Sequence, residues 1–175
     1  MKLIEFLRYL FLISILAGST SIGFLLSRSY SNRVRELKAF SKLVNIVKSK
    51  IEFTQKPLAE IFEETYLVEK NLKISKIFYI SAQKIESKNI KEAWNEAISE
   101  EKFFWDLKKE DISLIRTFGN MLGKTDVEGQ VSEINQFKEL LNSQISMAEE
   151  ENSKSSKMYK SLGTIVGLGI IILLY

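Results

Sequence analysis

Between Phe24 and Phe118 the chain contains no glycine, and its one proline is Pro57. Tight connections between strands lean on Gly, Pro, Asn and Asp, because these residues reach or preset the backbone angles that turns need. A long internal stretch this poor in Gly and Pro predicts helices. The expected fold class is all-α: one bundle of about six helices set between an N-terminal and a C-terminal membrane helix.

The two ends are uncharged. Tyr9 to Leu26 is eighteen residues without a charge, about 27 Å as a helix, close to the roughly 30 Å of a bilayer's hydrocarbon core. A cleaved signal peptide is the rival reading, because Lys2 and Arg8 precede the run and Ala17, Gly18 and Ser19 lie inside it. Against it, the run continues to Leu26 and a second apolar segment stands at the other end. Leu162 to Tyr175 is fourteen uncharged residues, only about 21 Å. Starting at Met158 lengthens it, with Lys160 reaching back to the interface and Tyr175 anchoring the far side. The expected division is a tip at 1–8, a membrane helix at 9–26, a helical domain at 27–148, a polar neck at 149–157 and a second membrane helix at 158–175. Ser14/Gly18 and Ser19/Gly23 are small pairs four apart, and Gly163/Gly167 form a GxxxG with Gly169 nearby. Such spacings let helices approach closely in lipid. The neighbour expected for Gly163 and Gly167 is the first apolar helix of the same chain, with another subunit as the alternative.

A formal net charge of +3 conceals a division. Residues 27–50 hold Arg28, Arg33, Arg35, Lys38, Lys42, Lys48 and Lys50 against Glu36 alone, whereas residues 51–153 hold thirteen Lys or Arg against twenty Asp or Glu. An acidic body disfavours nucleic acid, whose binding depends on neutralising phosphates. The juxtamembrane cations Arg28, Arg33, Arg35 and Lys38, with Lys154, Lys157 and Lys160, outnumber Lys2 and Arg8 on the other side. The positive-inside rule then predicts a two-pass protein of the cell membrane, with its domain cytoplasmic and both termini across the bilayer. The same cations could also touch anionic lipid.

Within the domain, Ser31 to Phe53 reads as the first helix, with Val34, Leu37, Phe40, Val44, Val47 and Ile51 on one side. Thr54 and Pro57 mark a break, and Leu58, Ile61, Phe62 and Thr65 give the second helix its face. Ile74, Phe78, Ala82 and Ile85 make a third. Asn89 and Glu92 have the spacing of a helix start before Ile90, Ala93, Trp94, Ala97 and Ile98. Phe103, Phe104 and Trp105 are expected to plug the bundle's end, with an exposed partner patch as the alternative. A fifth helix, about Leu107 to Leu122, turns Leu107, Leu114, Ile115, Phe118, Met121 and Leu122 inward. Gly119 within it predicts the close approach of another backbone. Gly123 is expected in the left-handed conformation that ends a helix. Thr125 and Glu128 are expected to cap the sixth helix, whose stripe is Val127, Val131, Ile134, Leu141, Ile145 and Ala148.

The chain has no Cys and no His. Thiolate and imidazole nucleophiles, disulfides and nearly every zinc or haem ligand set are therefore excluded, and no cofactor is expected. No phosphate-binding glycine loop or GxSxG elbow is present. Adjacent carboxylates such as Glu63–Glu64, Glu100–Glu101 and Glu149–Glu151 point about 100° apart on a helix rather than across a cleft. No catalytic or metal-ligating residue is assigned, and the expectation is an interaction protein, not an enzyme.

At the fifth-to-sixth helix junction the sequence reads Phe118-Gly119-Asn120-Met121-Leu122-Gly123-Lys124-Thr125-Asp126, with Gln130 four residues on. With Lys91-Glu92-Ala93-Trp94 before it and Tyr159-Lys160-Ser161-Leu162-Gly163 after it, this resembles the stage III sporulation protein AB family of endospore-forming bacteria. The resemblance spans nearly the whole chain. It implies a part of the apparatus linking mother cell and forespore, on the mother-cell side. Its implied partners are the other subunits of the sporulation channel, including its cytoplasmic ATPase. The family is in turn similar to the F-type inner-membrane platform proteins of type II secretion and type IV pili. Those carry two such domains and three membrane helices, so a chain with one domain and two anchors implies self-association. The family's junction motif falls on Gly119, Leu122, Gly123, Asp126 and Gln130. Turn and helix-start chemistry explains Gly123 and Asp126, and core packing explains Leu122, while Asp126 and Gln130 could instead face a partner. A membrane-tethered sensor that binds a small apolar ligand between its helices is the alternative function.

Overall fold

The computed structural model describes residues 2–54, 56–100 and 106–174. Phe103, Phe104 and Trp105, with Glu101 and Tyr175, lie outside the described residues. The elements are α1 (Lys2–Phe53), α2 (Leu58–Val68), a 3-10 turn (Lys73–Ser75), α3 (Lys76–Ile85), α4 (Ile90–Glu100), α5 (Lys109–Met121) and α6 (Val127–Leu174). No strand occurs among the described residues.

Helix runs unbroken through two of the expected boundaries. The membrane helix and the first domain helix are one element, α1, because residues 27–30 are polar but include neither Gly nor Pro to break it. The polar neck at 149–157 is likewise helical within α6. Among the described residues the six α-helices therefore include the two apolar end segments, which continue α1 and α6. By contacts the chain divides into two compact units, Arg33–Met147 and a pairing of Met1–Asn32 with Ala148–Tyr175.

The unit Arg33–Met147 is built round aromatic rings. Phe40 from α1, Phe62 from α2, Phe78 from α3, Trp94 from α4, Phe118 from α5 and Phe137 from α6 are all buried. The Phe78 ring lies 5.3 Å from Phe62 and 5.1 Å from Trp94, and the Phe118 ring lies 5.6 Å from Phe40 and 5.4 Å from Phe137. At these edge-on and tilted separations each pair adds about 0.5–1.5 kcal/mol to the burial of its area. Leu37, Leu43, Val44, Val47, Ile61, Ile77 and Ile115 fill the spaces between rings.

Local signals set the helix ends. The Thr54 N–H and hydroxyl both donate to the Lys50 carbonyl as α1 ends, and Pro57 then sits just ahead of α2, where its missing N–H costs nothing. Glu64 on α2 is gripped by Lys50 of α1, and by Lys56 at 2.5 Å; the two ammonium groups hold its carboxyl down at about 2. Asn89 caps α4 as its spacing predicted, accepting from the Glu92 N–H at 2.9 Å. The cap of α6 is displaced by one residue. Asp126, not Thr125, accepts from the Gly129 N–H at 2.9 Å, because α6 begins at Val127. The buried stripe of α6 accordingly starts at Ile134 and includes Phe137, while Val127 is exposed.

The second unit pairs the N-terminal part of α1 with the C-terminal part of α6. Among the described residues two helices are long and apolar enough to cross a membrane, and they are these two. Phe11, Ile13, Ile22 and Leu25 on α1, with Ile165, Val166 and Ile172 on α6, stay more than half exposed. In water that surface would be an aggregation hazard; in hydrocarbon it is the favourable one.

Candidate functional site

With no catalytic group in view, the candidate sites are where the sequence spends polar or small residues on packing. Three such places stand out: the α5–α6 junction, a buried ion pair, and the crossing of the apolar helices.

At the junction, α5 stops at Met121, Leu122 is extended and buried, and Gly123 takes φ +72°. A single residue holds the loop that follows. The Gln130 side-chain oxygen accepts from the Gly123 N–H at 3.0 Å, while its amide nitrogen donates to the Thr125 carbonyl at 3.0 Å. One α6 side chain thus satisfies both sides of the turn, and Asp126 caps the helix beside it. Both polar residues of the motif are engaged in hydrogen bonds within the chain.

Gly119 lies under Trp94. The indole N–H donates to the Ile115 carbonyl at 2.9 Å, and a Cβ added at residue 119 would overlap the indole ring. The close approach predicted for Gly119 is real, but it comes from a side chain, not from a second backbone. Gly123→Val should destabilise the unit by more than about 1 kcal/mol, because a branched residue resists positive φ. Gly123→Asn should cost less, and thermal melting of the two variants checks both.

The juxtamembrane cations are not alike: Arg28, Arg35 and Lys38 are exposed, whereas Arg33 is buried in an ion pair. Its guanidinium donates twice to Asp111, Nε to Oδ2 at 2.7 Å and Nη2 to Oδ1 at 2.9 Å. Asp111 also accepts from the Gln144 amide at 2.6 Å and from the Lys108 backbone N–H at 2.8 Å. Burial alone would raise the Asp111 carboxyl, but Arg33, Gln144 and the Lys108 N–H outweigh it and hold the carboxyl below its usual range. The cluster ties α1, α5 and α6 together. Sequence reasoning missed it because a lone Asp in a first helical turn is also what the helix dipole favours at the surface.

In the second unit, the two apolar helices meet at their small residues. Gly163 faces Gly23, where an added Cβ would come within 3.0 Å of the opposite Cα, and Gly167 faces Ser19. Gly18 and Gly169 have open space instead. Of the two small pairs on α1, only Ser19/Gly23 is therefore used at the crossing. Just beyond it the Ser27 and Ser156 hydroxyls bond at 2.5 Å, Ser31 donates to Asn152 at 3.0 Å, and Tyr30 stacks on Tyr159 at 5.7 Å. The Lys160 ammonium sits 5.5 Å from the Phe24 ring. These contacts explain why residues 149–157 are polar yet ordered. Cysteines placed at Ser27 and Ser156 should oxidise readily to a disulfide within one chain. Adding Gly163→Leu should abolish most of that yield on a non-reducing gel, because the crossing no longer closes.

An open groove of about 610 Å³ runs between α5 and α6, lined by Lys109, Leu114, Thr117, Leu140, Gln144 and Met147. Among the described residues no three carboxylates gather in a way that could hold a metal.

The sequence profile of the family described as stage III sporulation protein AB matches residues 8–175. The chain belongs to this family. The stage III sporulation protein AB of Bacillus subtilis (strain 168) is 27% identical over 175 residues, covering 96% of this chain and 99% of that one. A solved structure of stage III sporulation protein AB superposes with a TM-score of 0.61 at 21% identity, over 69% of this chain and 96% of that one. At that identity the superposition speaks for the fold, which the two share. Family membership makes this a sporulation protein, and the paired apolar helices are compatible with a membrane protein.

Proposed function

We propose that the protein is a two-pass membrane subunit of a sporulation-specific, secretion-like channel between mother cell and forespore. It acts as a platform through protein–protein contacts, one of them with the channel's ATPase. The observation that carries the reading is the pairing of α1 and α6 at a glycine-lined crossing, joined by the same two helices to a unit whose junction residues serve its own turns. Such a chain supplies a held shape rather than a reaction. The helical unit faces the mother-cell cytoplasm. Even with Arg33 withdrawn into its ion pair, Arg28, Arg35, Lys38, Lys154, Lys157 and Lys160 outweigh Lys2 and Arg8. One such unit per chain favours self-association in the working assembly.

Affinity capture of the tagged full chain from sporulating cells tests this. Co-purification of other channel components, the ATPase among them, is the expected result. Recovery of the bait alone from cells that express those components would overturn it.

A further inference from the structure

Where the uncharged runs of α1 and α6 both end, their crossing opens into a cleft of about 190 Å³ lined by Phe24, Ser27, Arg28, Ser31 and Lys160. Arg28 stands two positions past Leu26, and Lys160 stands two positions before Leu162. Two cations from different helices therefore border one space at that boundary. Among the described residues no carboxylate pairs with either of them. α1 carries no acid from Phe6 to Arg35, and α6 carries none from Asn152 to Leu174. The walls of the cleft are held from helix to helix, by the Ser27–Ser156 and Ser31–Asn152 hydrogen bonds and by Tyr30 stacked on Tyr159. Phe24, 55% exposed and four positions toward the bilayer from Arg28, gives the cleft an apolar side. The other flank of the crossing is unlike it. There a groove of about 280 Å³, bordered by Ile22, Leu26, Leu162 and Val166, has no charged residue in its lining. Leu26 and Arg28 point about 160° apart on α1, so the two spaces are separate.

We infer that this cleft binds the phosphate of an acidic phospholipid. Arg28 meets the phosphate oxygens with its planar fork of donors, and Lys160 meets them as a point charge. When Ser156 donates to Ser27, the Ser27 hydrogen is left for the phosphate as well. Phe24 takes the glycerol and the first methylenes of the lipid. Basic pockets between membrane helices, at the depth where the hydrocarbon ends, suit anionic headgroups. Phosphatidylcholine fits less well, because its own ammonium offsets its phosphate and meets Arg28 and Lys160 as a like charge. Free inorganic phosphate offers the same oxygens, but it brings nothing to lie along Phe24. A bound phosphate also offsets the repulsion between the two cations and so favours a closed crossing. The inference rests on α1 and α6 being membrane anchors and adds a lipid-class preference to them.

The test uses the full chain, which has no native Cys. Thr164→Cys, one turn of α6 beyond Lys160, carries a small dye. The protein is incorporated into phosphatidylcholine vesicles that contain a minor fraction of nitroxide-labelled lipid, a contact quencher, as either phosphatidylglycerol or phosphatidylcholine. Quenching at position 164 should be about two-fold or more stronger with labelled phosphatidylglycerol. Arg28→Gln with Lys160→Gln should remove the difference, and Arg28→Lys with Lys160→Arg, which keeps both charges, should retain it. A dye at Leu162→Cys, in the uncharged groove, should be quenched equally by both lipids. Equal quenching at position 164, the same preference at position 162, or a preference that survives the glutamine pair would overturn the site. Loss of the preference in excess inorganic phosphate, with chloride of equal ionic strength without effect, would assign the cleft to a free anion and overturn the lipid. Flotation separates the inference from the reading beneath it. A chain that floats with the vesicles but shows equal quenching keeps its anchors and loses the site, whereas one that does not float loses both.

Discussion

Replacing Arg33 by methionine will lower the stability of the helical unit by about 3–5 kcal/mol, the usual cost of stranding one partner of a buried pair. Asp111 would be left without its guanidinium, facing only Gln144 and the Lys108 N–H. Replacing both members, Arg33→Met with Asp111→Leu, should recover most of that loss, because no buried charge then remains. Denaturant melts of the parent and the two variants in one detergent decide the matter. If Arg33→Met melts like the parent, the pair is exposed to water. The pH dependence has a definite sign. The Asp111 carboxyl is held below its ordinary range in the folded chain, so its contribution is complete above the unfolded value of about 4 and is lost as pH falls through the lower folded value. The gap in stability between the parent and Asp111→Asn should therefore narrow on acidification.

The second large effect is expected at Gly119. Gly119→Val places atoms where the Trp94 indole lies and should cost about 3 kcal/mol or more, at the upper end for overpacking. Trp94→Ala alone should cost about 3–5 kcal/mol from its cavity, and it also removes the indole hydrogen bond to Ile115. Together the two changes should cost clearly less than their sum, by about 0.5–3 kcal/mol, since removing the ring opens the space valine needs. Strict additivity would mean that Trp94 does not lie on Gly119.

The particular residues show what could be read from the sequence. The faces of α2, α3 and α4 were legible because Ile61, Phe62, Thr65, Phe78, Ala82, Ala93, Trp94 and Ala97 follow helical periods and are all buried. The positive φ of Gly123 was legible because left-handed helix ends favour glycine. Phe137 was passed over, since Ile134 and Leu141 already satisfied the seven-residue step. The continuity of α1 was obscured by the polar residues 27–30, which mark a membrane boundary without ending a helix. Arg33 and Gln130 were the least legible. A charge or an amide looks alike in sequence whether it faces water, a partner or its own fold, and only the geometry of Asp111 and of the 123–125 turn distinguishes them. The Gly163–Gly23 crossing lay between these cases: the spacing announced close packing, and the partner came from the structure.

The proposed function places the helical unit on a single side of the membrane, with the far ends of α1 and α6 on the other. Single cysteines at Lys2, at Lys124 and appended after residue 175 suffice to test it in a chain with none of its own. In intact cells a membrane-impermeant maleimide should label the two terminal cysteines and leave Lys124→Cys untouched until the membrane is opened. Labelling of only one terminus, or of position 124 before permeabilisation, would contradict the account.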